Sequence, residues 1–93
     1  MNLIIVRLSG DAPLQAFGYL DGKPWYFRAR GERWEFGLAA RTEFSFEEAV
    51  RATAEIGPGL LISKRYADTT ALTHDKARAI IRRAARAARA FLD

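Results

Sequence analysis

Ninety-three residues, 49% of them apolar and 28% charged, make one domain (1–93) with the composition of a folded chain, which excludes a disordered one. The formal charge is +4, there is no cysteine, and His74 is the sole histidine. Disulfides, thiolate catalysis, cysteine-ligated zinc and a multi-histidine metal site within one chain are thereby excluded, and no cofactor is expected.

Residues 2–8 are rich in β-branched side chains and predict a largely buried strand. Its apolar run, Leu3 to Val6, is only four residues long, and no basic segment precedes it. That is too short for a signal peptide or a membrane span, so a cytoplasmic protein of a bacterium or phage-infected cell is expected. Residues 9–13 form a turn cluster.

From Ala16 to Leu38 the turns dictate the register. Asp21-Gly22 suits a two-residue type I′ hairpin, which needs φ > 0 at both central positions. It pairs Leu20 with Lys23 and Gly18 with Trp25. Gly31-Glu32 suits a type II′ turn, pairing Arg30 with Arg33, Arg28 with Glu35 and Phe27 with Phe36. Side chains alternate along a strand, so Trp25, Phe27, Ala29, Trp34, Phe36 and Leu38 share one face. Phe17, Tyr19, Tyr26, Arg28 and Glu35 share the other. Two turns read independently produce one aromatic face, and that agreement supports both.

Ser45 to Glu48 reads as a capping box, with Phe44 and Ala49 at staple positions. The helix it opens runs to about Ile56 and is stopped by Gly57-Pro58-Gly59. Phe46, Ala49, Val50, Thr53 and Ile56 line one side, and Glu47, Arg51 and Glu55 the other. Leu60 to Tyr66 predicts a strand, at an edge if Lys64 and Arg65 guard it. Residues 67–72 read as a loop. Thr73 caps a final helix reaching about Leu92, with Asp75 near its positive end. The expected fold is α+β: an antiparallel β-meander of three to four strands, with a fifth at Leu60–Tyr66, packed against two helices, the last long and basic.

That last segment carries the whole net charge. Residues 73–93 hold six cations and two anions, and residues 1–72 hold nine of each. At 100° per residue, Ala77, Ile80, Ile81, Ala84, Ala88, Phe91 and Leu92 fall on one side of the helix. Arg78, Arg82, Arg86 and Arg89 fall on the other, with Arg83 beside them. Within the helix, Asp75 can reach only Arg78. Guanidinium groups grip phosphate or carboxylate bidentately, and a row of them is relieved by an anionic partner. The expected partner is an acidic protein surface or host protein complex, or the phosphates of DNA or RNA. The plain alternative is a solvated helix face. Twelve of the 15 cations are Arg, as a GC-rich genome also produces. A third option pairs the stripe with Glu47, Glu48 and Glu55 of another copy, so monomer and homodimer both stand.

The helix lacks the Asn, Gln, Ser and Thr that read base edges, so it could hold phosphates without reading sequence. Tyr19, Tyr26 and Phe17, beside Arg28 and Lys23, could form a stacking platform or a protein-binding patch. Alternatively the last helix or a loop covers these rings. Catalysis is not expected. His74 follows a helix cap, Asp11, Asp21 and Asp68 lie in turns, and no glycine-rich phosphate loop opens a helix. The apolar side of the last helix is mostly Ala without Trp anchors, so membrane binding is not expected either.

The stretch GYLDGKPWYFRARGERWEF, from Gly18 to Phe36, resembles a hairpin of small phage, prophage and mobile-element accessory proteins. It covers about a fifth of the chain. The resemblance implies a stoichiometric, non-enzymatic protein that occupies a host complex, as anti-CRISPR and other anti-defence inhibitors do. It carries over no functional residues. Many DNA-mimicking anti-defence proteins are acidic and this chain is basic, so docking on an acidic surface is implied in place of mimicry.

Overall fold

The structure is a computed structural model and describes residues 1–10, 13–39 and 59–92. Among the described residues there are five strands: β1 (Leu3–Ser9), β2 (Leu14–Leu20), β3 (Lys23–Arg30), β4 (Arg33–Ala39) and β5 (Gly59–Arg65). They form one antiparallel sheet in the order β1-β2-β3-β4-β5. A 3₁₀ turn, Thr69–Ala71, leads into the helix α1 (His74–Leu92). The α+β architecture is as expected. The helix anticipated from Ser45 to Ile56 lies outside the described residues.

The hairpin turns set the sheet. Asp21 and Gly22 have φ of 50° and 83°, as a type I′ turn requires, and Gly31 has φ of 65° at the first position of its turn. Leu20 pairs with Lys23, Gly18 with Trp25, Arg28 with Glu35 and Phe27 with Phe36. Lys23 departs from the expected grouping. It shares the face of Trp25, its neighbour two positions on, and so lies away from Tyr19 and Tyr26.

The inner face stacks Trp25 on Phe36 at 5.5 Å between centroids, and Phe27 on Trp34 at 5.9 Å. Leu14, Leu20, Trp25, Phe27, Phe36 and Ile81 are fully buried there. From α1 come Ala77, Ile80, Ile81, Ala84, Ala85 and Ala88. The sheet supplies bulk and the helix supplies small residues, so α1 approaches the sheet closely and packs against β1, β4 and β5. Trp25 Nε1 is buried without a hydrogen-bond partner among the described residues, an exception among buried polar groups.

Strand β1 is an edge and is half-buried, not largely buried as its composition suggests. The register passes from Ile5↔Gly18 to Arg7↔Phe17, leaving Val6 as an extra residue, a β-bulge. Ile4 and Val6 are exposed, while Leu3, Ile5 and Leu8 pack against the core. Gly18 makes the crossing feasible. A Cβ there would collide with the Ile4 carbonyl and press on the Trp25 ring.

Strand β5 pairs with β4 and forms the other edge, through Trp34↔Lys64, Phe36↔Ile62 and Leu38↔Leu60. The chain after β5 is not a plain loop. Tyr66 N–H donates to the Glu32 carbonyl at 2.8 Å, and the buried Thr69 donates to the Gly31 carbonyl through its backbone N–H and through its hydroxyl at 2.6 Å.

Candidate functional site

The cap of α1 forms as its sequence suggests: the Lys76 N–H donates to Thr73 Oγ1 at 3.2 Å. Helical spacing then turns the arginines outward. Arg78 reaches Asp75 at 3.0 Å, one turn back. Arg89 departs from expectation. Its Nε lies 3.3 Å from an Asp21 carboxylate oxygen in the β2–β3 turn, so it is engaged by an acid far away in the chain. Two of the four stripe positions are thus paired. Arg82 and Arg86 are exposed and, with Arg83, have no acidic partner among the described residues.

Arg83 belongs to a different feature from the stripe. It lines a groove of about 400 Å³ between β5 and α1. Trp34, Ile62, Ile80 and Ala84 supply apolar lining, and Lys64, Lys76 and Arg83 supply charge. No acidic side chain lines it among the described residues. Lys76 and Arg83 are seven residues apart on one side of the helix, a spacing visible in the sequence. Lys64 faces them only because it pairs with Trp34, which no local signal announces.

The opposite face of the sheet holds Tyr19, Tyr26, Arg28 and Phe17. Phe17 and Tyr26 are direct cross-strand partners, and Arg28 sits opposite Glu35. Helix α1 packs on the other side, so it does not cover these rings. Tyr19 is 41% exposed, and Phe17 and Tyr26 are half-buried. Desolvation raises the Tyr26 phenol above its ordinary value, while the charge of Arg28 opposes the shift. Beyond them a notch of about 140 Å³ is lined by Arg28, Arg30, Arg33 and Glu35.

The titratable groups of the turns serve backbone geometry. Asp68 accepts from the Thr70 N–H at 3.0 Å and from its hydroxyl, and both bonds hold its carboxyl below the usual range. His74 is half-buried, with Nε2 3.0 Å from the Gly10 carbonyl. Among the described residues no group of three His, Asp or Glu could hold a metal, and no helix is long and apolar enough to cross a membrane. Compared with protein-family models, with curated proteins and with solved structures, the chain matches none.

Proposed function

We propose that this protein is a small stoichiometric binding protein that captures an acidic macromolecular surface through α1 and the β5–α1 groove. The observation that carries the reading is the cluster Arg82, Arg83 and Arg86, unpaired among the described residues, with Lys64 and Lys76 beside it. Repulsion between these cations is relieved by an anionic partner, and guanidinium groups bind carboxylates bidentately. The apolar lining of the groove favours a protein partner. An apolar side chain flanked by carboxylates fits it better than a bare phosphate backbone. The resemblance of the Gly18–Phe36 hairpin to phage and mobile-element proteins adds a biological setting: occupation of a host complex, in the manner of an anti-CRISPR inhibitor.

The test is capture from a host lysate, followed by titration with the purified partner. Replacing Arg82, Arg83 and Arg86 together by Ala should abolish capture and leave the thermal midpoint nearly unchanged, since all three are exposed. Equal capture by the triple variant would refute the reading.

A second reading is sequence-independent nucleic-acid binding by the same helix. It is favoured by a stripe that offers charge without base-reading side chains. Three phosphate contacts give a log–log salt slope of about −2.7 on duplex DNA. A flat salt response excludes it.

A further inference from the structure

We propose that the acidic partner enters as an extended strand, added to the outer edge of β5 with its alternate side chains in the β5–α1 groove. This rests on the acidic-partner reading and gives that partner a backbone conformation and a side-chain pattern. Strand β5 ends the sheet order, and among the described residues no strand pairs with its far side. From Leu61 to Arg65 only Ile62 is half-buried, and the other four residues are exposed. An edge strand presents a row of backbone N–H and C=O groups that a further extended segment satisfies. The other edge is less suited. The β1 ladder is interrupted at Val6, whereas β5 keeps an unbroken register along its whole length and borders the groove.

Side-chain alternation links this edge to the groove. Ile62 and Lys64 pair with Phe36 and Trp34, so both point to the α1 side of the sheet. Trp34, Ile62 and Lys64 line the groove from the sheet, and Lys76, Ile80 and Arg83 line it from α1. A strand laid along β5 continues the pleat. Every second side chain of it falls on the side of Ile62 and Lys64, at intervals of roughly 7 Å. An apolar side chain there has Trp34, Ile62 and Ile80 to pack against. Carboxylates two residues before and after it fall among Lys64, Lys76 and Arg83, and no acidic side chain lines the groove among the described residues.

Charge selects the occupant. Two copies of β5 edge to edge would bring two Lys64 and two Arg65 into one interface, with no acidic residue in either strand to offset them. The same cations attract an acidic strand, so one device rejects copies of this chain and admits its partner. A nucleic-acid strand supplies phosphates but no row of N–H and C=O groups to extend the ladder.

Fluorescence anisotropy on the full chain tests this with a labelled, capped peptide, Thr-Glu-Thr-Phe-Thr-Glu-Thr. Its counterpart with Lys in place of Glu should bind at least tenfold more weakly. Lys76→Glu with Arg83→Glu should weaken the peptide about tenfold and leave the thermal midpoint nearly unchanged, because both side chains are exposed. Arg7→Ala, at the exposed β1 edge, should change affinity less than twofold. Two N-methylated peptides then separate the strand from the acidic-partner reading. Successive N–H groups of a strand point to opposite edges, so methylating the Glu and Phe nitrogens blocks one edge and methylating the Thr nitrogens blocks the other. One of the two should lose at least tenfold and the other should bind as the parent does. Equal effects of the two methylations, with the charge dependence retained, would overturn the strand and leave the acidic-partner reading standing. Binding indifferent to peptide charge and to the Lys76/Arg83 variant would overturn both. Absence of peptide binding at low salt would overturn the strand as well. So would carbodiimide cross-linking of Lys64 or Lys76 to Glu47, Glu48 or Glu55 of the same chain that saturating peptide does not diminish, because the groove would then be filled from within.

Discussion

Asp21 shows how much one side chain can tie together. Its φ of 50° lies in the left-handed region, which Asp tolerates better than most residues. From there its carboxylate accepts the Asn2 N–H at 2.9 Å and meets Arg89 at 3.3 Å, joining the amino terminus, a hairpin turn and the end of α1. The Asn2 bond is the largest effect and holds the carboxyl below its ordinary value; desolvation, next in size, opposes it, and the charges of Arg89, the amino terminus and Lys23 add to the lowering. A depressed folded value means the stabilisation is fully present above the unfolded value of 3.8 and is lost as pH falls through the lower folded value. Asp21→Asn keeps the turn and an acceptor oxygen but removes the charge. Urea midpoints followed from neutral pH to below 3.8 should therefore fall more steeply for the native chain than for the variant. Superposable profiles would exclude the linkage. A second tie between distant segments is His74 Nε2, 3.0 Å from the Gly10 carbonyl, which joins the start of α1 to the residue that follows β1.

At the scale of elements, α1 combines a strong amphipathic pattern with a small-residue interface. Its buried side is dominated by Ala, so burial there contributes less per residue than a Leu-rich face would, and the sheet aromatics make up the volume. Local terms matter more in such a helix. The Thr73 hydroxyl satisfies one of the orphan N–H groups, Asp75 sits in the first turn, and Arg89 in the last. Thr73→Ala should cost about 1 kcal/mol in chemical denaturation, and Thr73→Ser should restore most of it. A cost below a few tenths of a kcal/mol would mean that packing alone holds the first turn. In the sheet, the β2–β4 hairpins follow from turn chemistry, and β5 is held by the pairing of its whole length with β4.

For the whole molecule, an open five-stranded sheet with edges at β1 and β5 must avoid pairing with other chains. The Val6 bulge breaks the β1 ladder, and Lys64 and Arg65 charge the β5 edge. Val6 is 54% exposed at that bulge. Val6→Lys should alter stability by less than about 0.5 kcal/mol and reduce concentration-dependent light scattering. A loss of several-fold that size would show that Val6 is packed against something. The sheet and helix keep two sides apart, a cationic side of α1 and an aromatic–arginine face of the sheet, with the core between them.

Much of this arrangement is legible in the sequence. The positive φ demanded at Asp21-Gly22 and Gly31 determined the β2–β3–β4 registers, and with them the companionship of Phe17, Tyr19, Tyr26 and Arg28. The periodicity of residues 73–92 determined which side of α1 is buried. These are neighbour effects: turn geometry, side-chain alternation and helical spacing act within a few residues, so the chain states them locally. The tertiary structure decided the rest. It placed Lys64 across from Lys76 and Arg83, brought Asp21 to Arg89, moved Arg7 onto the outer face through the Val6 bulge, and turned Lys23 away from it. It also docked Thr69 on the Gly31 carbonyl. Each of these depends on how a finished sheet and helix sit against one another. That outcome is set by burial summed over many weak contacts between distant residues, and no single stretch of sequence carries it.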